Sequence, residues 1–274
     1  MKKLFLKTLK VILILYVLIC GLLFFFQEKM IFFPQKLAKD YPFTFEQNFE
    51  EINIKTPDQV VLNGLLFKAD SSKGLIFYLH GNAGSLKRWG SIYSNYEELK
   101  YDLFMLDYRG YGKSEGSIKS QEQLFMDVQA AYNEMLKRTP EEKVVIIGFS
   151  IGSGIAAKLA SENHPKLLIL EAPYYNLTDM MHHRYPFVPG FLLKYKLETN
   201  RYLNDCKMPV VIFHGTSDQV IYYGSSLKLK EHFKPQDTLI TLEGQEHNGI
   251  SDNADYITAL SEILRKGEPV CSPH

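Results

Sequence analysis

From about residue 50 to 266 the chain alternates short, continuous apolar runs with longer amphipathic stretches, and that rhythm admits few architectures. The runs fall at 75–79, 103–106, 144–147, 167–170, 210–213 and 238–242, with helical patterning near 86–99, 120–138, 151–162, 222–233 and 251–266. A strand without a polar face must be covered on both sides, which is the situation of parallel strands flanked by helices. Two earlier β-rich segments, 51–56 and 60–68, are separated by Pro57-Asp58, a turn signal, and are expected to form an antiparallel pair. The expectation is an α/β fold with an eight-stranded, mostly parallel sheet and helices on both faces. One interval breaks the rhythm. Residues 174–208, rich in Tyr, Leu and Pro, exceed an ordinary connection and predict a small helical cap over the carboxyl ends of the strands, where open α/β sheets bind ligands.

The N-terminus obeys a different pattern. Lys2, Lys3, Lys7 and Lys10 precede an uncharged run, 11–26, that Gln27, Glu28 and Lys29 close. Sixteen residues fall short of a span of about 20, but Leu4, Phe5, Leu6 and Leu9 extend it while Lys7 and Lys10 snorkel toward headgroups. A cleaved signal peptide requires small residues before its cut, and this run ends in Leu22-Leu23-Phe24-Phe25-Phe26. A lipoprotein signal at Cys20-Gly21 is opposed by the bulky Ile19. A signal anchor fits best. Its basic flank predicts a single-pass membrane protein with the N-terminus in the cytoplasm and the remaining chain on the extracytoplasmic side. The expected organisation is an anchor helix at 1–27, a linker at 28–50 that packs partly on the domain or the membrane surface, the α/β domain at 51–266 with its cap, and a tail at 267–274.

Charge and cysteine content narrow the function classes. Lys+Arg and Asp+Glu number 31 each, so no basic excess exists for a phosphate backbone and nucleic acid is not an expected partner. Cys20, Cys206 and Cys271 are too few for a disulfide framework and lie in no metal-ligand spacing.

The chemistry gathers around Gly148-Phe149-Ser150-Ile151-Gly152, a G-x-S-x-G placed between an expected strand and an expected helix. A bare match of this kind occurs by chance in roughly one chain in ten, so the strand–turn–helix context is what makes it specific. A serine nucleophile needs a base and an orienting acid. His247 follows the last strand and Asp218 the one before it, giving the chain order Ser, Asp, His. Glu171 and Asp179 are rival acids. The oxyanion donors are expected to be the backbone N–H groups of Ile151 and Asn82, with Ala83 second to Asn82. His80 and His214 end strands beside glycines and read as hydrogen-bonded structural groups, and Asp107 with Arg109 reads as a brace in a glycine-rich loop.

LHGNAGS, DYRGYGKSEG, GFSIGSG, HGTSDQVI and GQEHN together resemble the α/β-hydrolases. Within them, the chain is most similar to the membrane-anchored serine hydrolase branch that includes Bem-type hydrolases and protein depalmitoylases. The anchor followed by Met30-Ile31-Phe32-Phe33-Pro34 shares that likeness, which runs from residue 1 to about 265. The resemblance implies the α/β-hydrolase fold, Ser150, Asp218 and His247 as the triad, and Asn82 and Ile151 as oxyanion donors. It implies no metal or organic cofactor. The expected function is a membrane-anchored serine hydrolase that cleaves an ester, a thioester or an amide through an acyl-enzyme, with a small acyl ester, a thioester or an acylated protein as substrate. Two other functions compete: a peptidase cleaving near a free amino terminus, and a catalytically dead fold serving as a membrane-tethered binding module. The apolar and aromatic cap favours an acyl chain over a charged group.

Overall fold

The computed structural model describes residues 1–266; the tail expected at 267–274, with Cys271, lies outside the described residues. The chain opens with α1 (Lys2–Ile31), β1 (Phe33–Pro34), β2 (Phe49–Lys55), β3 (Val61–Phe67), β4 (Leu75–Leu79), β5 (Ala83–Gly84) and α2 (Leu86–Trp89). It continues through β6 (Asp102–Leu106), α3 (Gln121–Leu136), β7 (Val144–Phe149), α4 (Ile151–Ser161) and β8 (Leu167–Glu171). The cap helices α5 (Leu177–Arg184) and α6 (Thr199–Asp205) then precede β9 (Val210–Gly215), α7 (Gly224–Lys230), β10 (Thr238–Leu242) and α8 (Ala254–Lys266).

Eight strands form one sheet in the order β10-β9-β8-β7-β4-β6-β3-β2, all parallel except at β3, which runs antiparallel to both β2 and β6. Side chains of β4 alternate between two cores: Leu75, Phe77 and Leu79 pack on one face, Ile76 and Tyr78 on the other. The first face is covered by α3 and α4, the second by residues 86–99 and α8. The chain leaves β4 for β6 and then crosses back to β7 on the other side of β4. The loops leaving β4 and β7 therefore diverge at a topological switch point, which opens a crevice at their carboxyl ends. Both oxyanion candidates and Ser150 lie on those two loops.

Two local expectations differ from the structure. Residues 86–99 form only the short α2, followed by 3₁₀ turns at Gly90–Asn95 and Glu97–Leu99. After Leu86 the buried residues there are Gly90, Tyr93, Tyr96 and Leu99, a spacing of three that suits the 3₁₀ repeat and would splay around an α-helix. The anchor helix also runs past residue 27 to Ile31. Gln27-Glu28-Lys29 end the apolar run but not the hydrogen-bond ladder, and Gln27 is buried against the cap. The segment expected as a linker packs on the domain. β1 pairs with β5 in parallel, Lys36 bridges to Gly112, and Phe32 enters the core beside Tyr195. Phe45 and Phe49 pack on Phe67.

α1 is 30 residues long, about 45 Å at 1.5 Å per residue, and is the one helix among the described residues long and apolar enough to cross a membrane. From Leu4 to Ile19 its side chains are exposed, so it is not a core helix of the domain.

Candidate active site

The turn at Ser150 is dictated by its glycine neighbours. A Cβ at Gly148 would lie 2.5 Å from both Ala156 Cβ and the Gly152 carbonyl oxygen, and one at Gly152 would lie 2.1 Å from the Leu79 carbonyl oxygen. Strand and helix are thus pressed together, and the chain reverses through a single residue. Ser150 takes φ 54° and ψ −120°, a strained conformation for an L-residue. Its N–H donates to the Glu171 carbonyl at 2.9 Å, tying the turn to β8. Ser150 also heads α4, where its carbonyl accepts from Ser153 N–H at 2.9 Å and the Ile151 and Gly152 N–H groups, without acceptors in the helix, point toward the open end.

Ser150 Oγ lies 3.0 Å from His247 Nε2, and His247 Nδ1 lies 2.7 Å from Asp218 Oδ2. The carboxylate fixes the tautomer: Nδ1–H donates to Asp218, leaving Nε2 to accept from the serine hydroxyl. All three residues are buried, and the Phe149 ring sits 5.1 Å from the imidazole. Asp218 is bound on both oxygens. Oδ1 accepts from the N–H groups of Val220 and Ile221, each at 2.8 Å, and Oδ2 faces His247 and His214, the latter at 3.3 Å. Burial by itself pushes the Asp218 carboxyl up, but hydrogen bonds from His214, His247 and Ile221 outweigh it and hold it well below the usual carboxylate range. Asp218 is therefore ionised in the folded protein at ordinary pH.

The rival acids are occupied elsewhere. Glu171 accepts from Tyr78, Tyr96 and Tyr256 at 3.1, 3.1 and 2.5 Å. Asp179 accepts from Tyr222 and Lys228, both at 2.5 Å. His80 and His214 are buried and hydrogen-bonded, as expected of strand-end groups, yet His214 also braces Asp218. That second role has no sequence signal, because His214 precedes Asp218 by one turn of loop and nothing local distinguishes it from His80.

Asn82 is held at three points. Its carbonyl accepts from Phe33 N–H at 3.0 Å and from Tyr111 Oη at 2.7 Å, while its amide Nδ2 donates to the Ile31 carbonyl at 3.0 Å. The last turn of α1 and β1 therefore position the loop that carries this candidate donor. Nothing local in the sequence announces such a contact across 51 residues.

Asp107 and Arg109 do not pair. Arg109 donates to Asp58 and Asp127 instead. Asp107 turns inward, where its Oδ1 accepts from Leu86 N–H and its Oδ2 has no partner among the described residues. Burial pushes the Asp107 carboxyl up to about 8. The folded value thus lies above the unfolded one of about 3.9, so the stability linked to this group is full below pH ~4 and lost as pH rises through about 8. Asp107→Asn, which has no proton to lose, is expected to lose less melting temperature than the parent between pH 6 and pH 9. Equal losses in paired thermal melts would contradict the raised carboxyl.

Similarity to known proteins bears directly on this arrangement. Residues 70–198 match the family model for serine aminopeptidase, S33. The α/β-hydrolase domain-containing protein WAV2 of Arabidopsis thaliana is 30% identical over 227 residues, covering 73% of this chain and 73% of that one. The chain belongs to the α/β-hydrolase family. Protein bem46 of Schizosaccharomyces pombe is 27% identical over 274 residues, covering 90% of this hydrolase and 89% of its own length. Among solved structures, an esterase of Pyrococcus furiosus superposes with a TM-score of 0.69 at 21% identity, over 87% of this chain and 98% of that one, which establishes the shared fold. The family makes this chain a serine hydrolase of the α/β-hydrolase type.

Proposed function

We propose that this hydrolase is a membrane-anchored serine esterase or thioesterase acting through an acyl-enzyme. The observation that carries the reading is the continuous contact from Ser150 Oγ through His247 to Asp218. In this scheme Ser150 Oγ attacks the acyl carbonyl as its proton passes to His247 Nε2, and Asp218 steadies the imidazolium that forms. The N–H groups of Ile151 and Asn82 receive the developing oxyanion, with the open end of α4 adding its favourable dipole. His247 then hands the proton to the departing alkoxide or thiolate, and a water molecule repeats the sequence to release the acid. No step calls for a metal or an organic cofactor.

The exposed apolar length of α1 supports single-pass anchoring, and the four lysines before it support a cytoplasmic N-terminus with the hydrolase domain on the extracytoplasmic face.

The test uses the purified full chain with a fluorophosphonate probe, p-nitrophenyl esters from two carbons upward, acyl-thioesters and aminoacyl amides. The expected result is covalent labelling and a kcat/KM that rises with acyl length, by about fourfold per buried methylene at 0.8 kcal/mol each. Preference for aminoacyl amides would replace the esterase with the peptidase reading. Absence of labelling would leave a binding module. Protease added to intact spheroplasts should digest the domain; protection until the cytoplasmic face is opened would reverse the orientation.

A further inference from the structure

The three most exposed aromatic side chains outside α1, among the described residues, are Tyr185, Phe187 and Phe191, at 63, 85 and 81%. All three lie on one turn of the cap, beside the anchor. Tyr16 Oη donates to the Phe187 carbonyl at 2.8 Å. Eleven residues later on α1, Gln27 donates to the Leu192 carbonyl at 3.1 Å and accepts from Lys194 N–H at 2.8 Å. The cap segment therefore tracks the helix for about 16 Å, and its leading end reaches Tyr16, well inside the apolar run that the anchor places in the bilayer.

The turn's backbone is satisfied in part, as suits the interfacial layer more than the hydrocarbon centre: the N–H groups of Phe187, Gly190 and Phe191 have no acceptor among the described residues. Hydrocarbon accepts irregular backbone only where its polar groups find partners. Pro186 and Pro189 carry no N–H. Val188 and Leu192 donate to the carbonyls of Tyr185 and Pro189, and the Phe187 and Leu192 carbonyls are bound by the anchor. From residue 180 to 197 there is no acidic residue, while His182, His183, Arg184 and Lys194 flank the turn, as suits a headgroup layer.

Between this segment and α1 lies a cavity of about 490 Å³. Ile19, Leu23 and Met30 line it from the anchor, and Met181, Val188 and Leu192 from the cap. Gln27 and Tyr185 are the polar exceptions, and the Gln27 amide is spent on the cap backbone. At the inner end stands Ile31, whose carbonyl holds Asn82. The cap alone is too short to wall off a tunnel; the anchor supplies the second wall.

We infer that the cap turn at 185–191 is a second membrane-embedded element, dipping into the leaflet beside α1, and that the groove between them takes an acyl chain directly from the bilayer. This rests on α1 as a membrane anchor and on Ser150 as an acyl-transfer nucleophile. The groove is apolar apart from Gln27 and Tyr185, is open beside the span, and ends at Ile31, whose carbonyl accepts from the Asn82 side chain, so a lipid chain is the occupant it fits.

The test reconstitutes the full chain in phosphatidylcholine vesicles with plain or brominated acyl chains. Trp89 is the sole native tryptophan, so Phe187→Trp reports on the turn by difference. The expected result is a blue-shifted added emission, quenched at least twofold by brominated chains. Unquenched, water-like emission overturns the embedded turn. In the second arm, Phe187→Glu/Phe191→Glu should slow hydrolysis of a long-chain ester carried in vesicles by tenfold or more while leaving p-nitrophenyl acetate within twofold. Equal loss on both esters, or loss on neither, overturns delivery from the bilayer. A parent enzyme that hydrolyses no ester, yet shows quenching in the Phe187→Trp variant, overturns the ester substrate and upholds the embedded turn.

Discussion

Ser150→Ala is expected to leave the fold intact and to lower kcat on an activated ester by about 10³-fold or more. The substitution removes one oxygen from a turn whose geometry is imposed by Gly148, Gly152 and the Ser150 N–H bond to Glu171, none of which involves the hydroxyl. Alanine bears the positive φ at a cost similar to serine's, so the melting temperature should stay close to the parent's. His247 and the candidate N–H donors stay in place, so a residual rate above that of water is expected from them. Burst kinetics and fluorophosphonate labelling should vanish together. Near-parent turnover in the folded variant would dismiss Ser150 as the nucleophile.

Asp218→Asn should cost about 10⁴-fold in kcat with little change in KM. The amide would offer N–H toward His247 Nδ1, where only an acceptor holds the ring in its working tautomer, and Ser150 would then face an Nε2 that donates. The same change disturbs His214 and the N–H groups of Val220 and Ile221, so kcat should be measured below the variant's own melting transition. Glu171→Gln makes the control. Its carboxylate serves three tyrosines, and only its backbone reaches Ser150. It should therefore lower the melting temperature and leave kcat within about tenfold. A larger kcat loss in Glu171→Gln than in Asp218→Asn would transfer the acid role.

Most of the sheet was legible because buried parallel strands must be uniformly apolar, and every run in the sequence lies within a strand of the sheet. The Ser150 turn was legible because close packing of strand and helix leaves room only for glycine on either side. The candidate acid and base are given by chain order and by their positions just past β9 and β10. What could not be read depends on contacts between distant segments. The 3₁₀ path after α2 is set by Tyr93 and Tyr96 reaching the core, and His214 gains its second role only when the loop after β9 folds back. Gln27 resembles the end of a span because a polar residue there is ordinary. A linker reading of 28–50 underestimates Phe32, which is buried, and the alternation of Tyr41, Phe43, Phe45 and Phe49, whose partly buried side chains keep a period of two outside any apolar run.

The pairing of β1 with β5 has a consequence for how such an enzyme would meet its substrates. Only one residue, Phe32, separates the end of α1 from a strand bonded to the Asn82 loop, so there is no slack tether along which the domain could swing. In a bilayer its site would ride at a set height above the plane, and encounters would be governed by lateral diffusion in two dimensions. Rates would then scale with the surface density of substrate rather than with its bulk concentration, and diluting the membrane with inert lipid would slow the enzyme even when total substrate is unchanged.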